Sequence, residues 1–80
     1  MPKLRVLSGR DVLKILQEFG FQSFAQRGSH IKLRRMDNGR AQILTVPNHA
    51  EIDRGTLQAI FRQACRFIPD FELRARFFTD

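Results

Sequence analysis

The sequence predicts a small α+β domain, with a helix, a three-stranded antiparallel meander and a second helix in that order. Three observations carry this. Val12, Ile15, Leu16 and Phe19, and later Leu57, Ile60, Phe61 and Ala64, recur with the spacing of one buried helical face. Between these segments, apolar and polar residues alternate from Ser29 to Met36, the period of a strand with two unlike faces. Asp37-Asn38-Gly39 then supplies a strong hairpin turn. At 80 residues the chain is read as one domain over 1–80, close to the lower limit for a self-sufficient core. Any site on so small a body is expected to be shallow.

The elements follow in order. Ser8 is a good N-cap for a helix running to Gly20, and Asp11 favours its first turn. Gly20 supplies a left-handed stop. Phe21 to Gln26 reads as a short strand with one wet face, and Arg27-Gly28 as a compact turn. In the next strand, Ser29 to Met36, Ile31 and Leu33 point one way and His30, Lys32 and Arg34 the other. Arg40 to Val46 is the third strand, ended by Pro47. A loop carrying His49 and Glu51 leads to a second helix from Arg54, with Asp53 as N-cap. Residues 66–80 form a C-terminal appendage to a core of about residues 7–65. Phe71, Leu73, Ala75 and Phe77 alternate as in a strand, whereas Pro69, Asp70 and Glu72 look like the first turn of a helix. A short helix is expected here. Both main helices are expected on one face of the sheet, which leaves the other face open.

Composition narrows the function. Fourteen Lys and Arg against eight Asp and Glu give a net charge of +6, which points to a polyanionic partner, nucleic acid before an acidic protein or a membrane surface. A hydrophobic fraction of 42% is too high for a disordered tail. All eight aromatic residues are Phe, most of them expected in the core. The lone Cys65 cannot form an internal disulfide, and at its helical position it reads as an inert, partly buried residue. No segment approaches the roughly 20 apolar residues of a membrane span, and Met1 to Arg10 lack the apolar run of a secretory signal. A cytoplasmic protein is expected.

The chemistry concentrates in Gln26-Arg27-Gly28-Ser29-His30-Ile31-Lys32. Cleaving RNA requires a group that takes a proton from the 2′-hydroxyl or gives one to the leaving oxygen, and an imidazole can do either. Positive charge must also meet the phosphate oxygens as their charge builds. Arg27, Lys32 and Arg34 can supply it, and Gly28 allows close backbone approach. The plainer alternatives are a surface histidine, a turn hydroxyl at Ser29 and solvated cations. His49 and Glu51 are read first as loop-capping residues and second as auxiliaries. Ser29 and His30 are neighbours on a strand and face opposite ways, so they do not make a triad. The spacing of the two His and one Cys matches no compact metal site, and no cofactor fingerprint is present. Strands separate the two helices, so no DNA-reading helix-turn-helix is expected.

Taken together, four segments resemble the HicA family, also called YcfA-like. They are Ser8-Gly9, Gln26-Arg27-Gly28-Ser29-His30, Thr45-Val46-Pro47-Asn48-His49 and Arg54-Gly55-Thr56-Leu57. The resemblance implies a fold like the double-stranded-RNA-binding domain, α-β-β-β-α. It implies the toxin of a type II toxin–antitoxin pair, a messenger-RNA interferase that cuts without the ribosome. The family's catalytic histidine, the one in Gly-Ser-His, falls on His30. Arg27, Gly28, Ser29, Lys32 and Arg34 would then contact RNA. The implied partner is a HicB antitoxin, which covers the histidine and carries the DNA-binding part; direct specific DNA binding by this chain is not expected. Two other functions fit the same fold and charge: a non-catalytic RNA-binding module, and a protein-interaction subunit.

Overall fold

The computed structural model describes residues 2–79. Its elements are β1 (Lys3–Leu4), α1 (Gly9–Glu18), β2 (Gln22–Arg27), β3 (His30–Asp37), β4 (Arg40–Pro47), α2 (Arg54–Ala64), α3 (Asp70–Phe77) and β5 (Phe78–Thr79). The order helix, three antiparallel strands, helix is the predicted one. Strands β2, β3 and β4 form one sheet with β3 in the middle, and β1 pairs with β5 in a separate two-stranded ladder.

Local chemistry sets each boundary. The Ser8 hydroxyl accepts from the Asp11 backbone N–H at 3.0 Å, and the Asp11 carboxylate accepts from the Ser8 N–H at 3.0 Å. This reciprocal capping box satisfies two donors that helix geometry leaves open. Hydrogen bonding from Ser8, its backbone N–H first and its side chain second, holds the Asp11 carboxyl below its ordinary value. At the other end Gly20 adopts a φ of 94°. The Gly20 N–H then reaches the Gln17 carbonyl and the Phe21 N–H the Leu16 carbonyl, a Schellman stop. Asn38 and Gly39 both have positive φ (51° and 77°), as a two-residue type I′ hairpin turn requires.

The core lies between the helices and the inner face of the sheet. Val12 and Leu16 of α1, Leu33 of β3, Val46 of β4, and Leu57 and Ala64 of α2 are all essentially inaccessible to solvent. The C-terminal extension joins this core. Leu73 and Phe77 of α3 are fully buried, and the Phe61 ring lies 5.5 Å from that of Phe77 and 5.2 Å from that of Phe78. In the helix this tail forms, Leu73 and Phe77, one turn apart, make the buried face. Phe71, on the other side, stays exposed. Cys65 caps α2, partly buried, and burial first, then Asp70, pushes its thiol up, in keeping with an inert role.

Two details differ from the sequence reading. The turn falls on Gly28-Ser29, not Arg27-Gly28, because Arg27 pairs with His30 as the last residue of β2. Strand β2 is exposed at all six positions rather than on one face, since it is an edge strand with a bulge at Phe24.

One polar device holds the layers together. Arg35 sits on the inward-facing side of β3, past Leu33. Its guanidinium donates to the Phe19 carbonyl (2.8 Å), the Phe67 carbonyl (2.8 Å) and Gln42 Oε1 (2.7 Å), and lies 4.9 Å from the Phe21 ring centroid. Arg35→Ala is expected to cost about 2 kcal/mol, given about 1.5–3 kcal/mol for hydrogen bonds to charged groups and partial re-solvation of the freed carbonyls. That corresponds to a fall in Tm of about 8–16 °C in a domain this size. Arg35→Lys should recover only part, because an ammonium cannot reproduce the fork. Thermal melts decide it, and an unchanged Tm for Arg35→Ala would refute the clamp.

Candidate active site

His30 is the first residue of β3 and directly follows the Gly28-Ser29 turn. Gly28 has a φ of 60° whereas Ser29 does not take positive φ, the pattern of a type II′ turn with Gly at its first central position. The Gln26 side-chain amide donates to the Gly28 carbonyl at 3.0 Å and steadies the turn. His30, Lys32 and Arg34 are all exposed, while the intervening Ile31 and Leu33 are buried in the core. The predicted division of the strand therefore holds.

The bulge in β2 decides which cations join them. Gln22 pairs with Arg34 and Ser23 with Leu33, but Ala25, not Phe24, pairs with Lys32. Paired residues in an antiparallel ladder share a face, so the extra residue reverses the alternation of everything after it. Arg27 thereby pairs with His30 and falls on its face. In an unbulged strand Arg27 would lie opposite Gln22 and face the core. Phe24 itself lies under Arg34, whose guanidinium carbon is 4.7 Å from the ring centroid. Lys32 stands about 7 Å and Arg34 about 14 Å along the strand from His30, at about 3.4 Å per residue. Among the described residues neither Arg27, Lys32 nor Arg34 takes part in an ion pair.

On its other side His30 borders a groove of about 300 Å³. Thr45, Pro47 and His49 contribute from β4 and the loop after it, and Thr56, Ala59, Ile60 and Gln63 from α2. The structure thus brings His49 to the same groove as His30. Thr45, Thr56 and Gln63 are polar lining residues the sequence reading missed. Thr45 was legible as the same-face neighbour of Lys32, whereas the α2 residues depend on how that helix docks. Glu51 is exposed and makes no side-chain hydrogen bond or ion pair among the described residues.

The loop bearing His49 is fastened by backbone. The Asn48 N–H donates to the Ser29 carbonyl (2.6 Å), the Gly9 N–H to the His49 carbonyl (2.8 Å) and the Ile52 N–H to the Leu7 carbonyl (2.9 Å). Gly9 permits the approach, because a Cβ there would stand 2.3 Å from the Pro47 carbonyl oxygen. Asp53 caps α2 by accepting from the Thr56 N–H at 3.0 Å. Hydrogen bonds from Thr56, side chain and backbone, hold its carboxyl below the ordinary value, and the nearby His49 lowers it further.

Four separated sequence segments therefore meet at one place: the start of α1, the β2–β3 turn, the end of β4 and the start of α2. A family model described as the HicA toxin of bacterial toxin–antitoxin matches residues 9–64, well over half of the chain. The chain belongs to the HicA toxin family. Comparison with curated proteins and with solved structures finds no match. The HicA match begins at Gly9, where α1 meets the His49 loop, and ends at Ala64, the last residue of α2. Every site residue named above lies inside it. The β1–β5 ladder and α3 lie outside it and complete the core of this HicA chain from its two ends. Among the described residues no helix is long and apolar enough to cross a membrane.

Proposed function

We propose that this HicA-family chain is a cytoplasmic endoribonuclease toxin that cleaves messenger RNA by transesterification, with His30 as its general acid or base. The observation that carries the reading is the exposed His30 beside a backbone-fastened Gly28-Ser29 turn, on one face with Arg27, Lys32 and Arg34. The 2′-oxygen attacks phosphorus, the bond to the 5′-oxygen breaks, and the products are a 2′,3′-cyclic phosphate and a 5′-hydroxyl. Arg27 and Lys32 face the growing negative charge on the phosphate oxygens. Arg34, propped on Phe24, holds the strand further along. No step calls for a metal ion. A HicB-type antitoxin that covers this face would silence the toxin and would carry any specific DNA binding.

Expression without an antitoxin should arrest growth and fragment transcripts. The purified chain should cut RNA in the presence of EDTA and leave 5′-hydroxyl ends. Products bearing 5′-phosphates, or cleavage abolished by EDTA, would overturn the mechanism. Salt-dependent RNA binding without any cutting would instead identify a non-catalytic RNA-binding module.

A further inference from the structure

Resting on the ribonuclease reading above, we infer that His49 is a second catalytic residue, the general acid that protonates the leaving 5′-oxygen while His30 serves as base. Both imidazoles line one groove, from different elements. The ladder explains why. His30 pairs with Pro47, the last residue of β4, and His49 follows only two residues later in the loop, which keeps it close to His30. Asn48 between them bonds back to Ser29, so the two segments cannot drift apart without breaking a backbone hydrogen bond.

The two histidines have unlike neighbours. Arg27 and Lys32 flank His30 on its face, whereas Asp53 stands near His49. The base is assigned to His30, beside the two cations that face the phosphate, and the acid to His49. The step then balances. His30 takes the 2′-hydroxyl proton as the 2′-oxygen bonds to phosphorus. The bond from phosphorus to the 5′-oxygen breaks with its electron pair on oxygen, and His49 supplies the proton that oxygen needs. At about 300 Å³ the groove is at the small end of ligand pockets, suited to a sugar–phosphate unit rather than a paired duplex.

The test compares an RNA oligonucleotide cut at one site with the same oligonucleotide carrying sulfur in place of the bridging 5′-oxygen there. A thiolate leaves without protonation. His49→Ala should slow the oxygen substrate by about 100-fold or more and the sulfur substrate by only a few-fold. His30→Ala should slow both. Melting curves establish that each variant is folded, and His49→Gln, which keeps a polar group of similar reach, should repeat the His49→Ala pattern. If folded His49→Ala cuts the oxygen substrate at the wild-type rate, or loses both substrates equally, His49 is not the acid, while the ribonuclease reading stands. If the wild type cuts neither substrate, that reading falls and this inference with it.

Discussion

His30→Ala is expected to slow RNA cleavage by about 10²–10⁴-fold, the usual worth of a positioned acid or base, and to leave stability almost untouched. The side chain is exposed, and the pairing of His30 with Arg27 and Pro47 is made by backbone. Exposed substitutions of this kind stay within about 0.5 kcal/mol. Initial rates on a labelled RNA, with melting curves beside them, therefore separate chemistry from folding. In cells the variant should neither arrest growth nor fragment transcripts. A folded His30→Ala chain that retains cleavage within tenfold of the wild type would remove His30 from the mechanism and leave RNA binding or protein docking as the function.

Gly9→Ala should be the most damaging of the small substitutions. Alanine is a better helix former than glycine, worth up to about 1 kcal/mol inside a helix, so propensity alone predicts a gain. Geometry predicts the reverse. The new Cβ would stand 2.3 Å from the Pro47 carbonyl oxygen, 2.9 Å from Asn48 Cα and 3.1 Å from the His49 nitrogen. All three are backbone atoms and cannot rotate aside. Either α1 or the loop must move, and the bond from the Gly9 N–H to the His49 carbonyl is strained or lost. Overpacking at about 1–3 kcal/mol plus one hydrogen bond at about 1 kcal/mol gives a loss near 3 kcal/mol. Cleavage should also fall at temperatures where the variant is still folded, because the displaced segment carries His49 and holds Ser29 through Asn48. A Tm at or above wild type would show that the contact is not limiting.

The sequence made the frame of the molecule readable because its signals are local. Ser8 and Asp53 announce helix starts, Gly20 a stop, Asn38-Gly39 a turn, and the alternation from His30 to Arg34 a two-faced strand. Each of these acts within a few residues, and each occupies its expected place. The site was legible in part for the same reason, since His30, Lys32 and Arg34 share a face by period alone. Arg27 was placed near His30 by proximity in the chain, but its facing rests on a bulge at Phe24 that no local pattern announces. The β1–β5 ladder escaped because two-residue strands have no period to read. His49 and the α2 side of the groove depend on how a helix docks on a sheet, which is a property of the packed chain. Arg35 carried a usable signal, since it continues the inward series of Ile31 and Leu33, and an inward arginine needs several acceptors.

That arginine bears on how the domain opens. One guanidinium in the middle strand holds the carbonyl that ends α1, the carbonyl that follows α2 and the amide of Gln42 on β4. Fraying at either helix end strips the same side chain of part of its ligation, and so loosens its hold on the other. Two ends that are 48 positions apart in the chain, Phe19 and Phe67, are therefore coupled through a shared counterpart. Partial unfolding is thereby discouraged at the margin of the core, and the helices are tied to the sheet as a single cooperative unit.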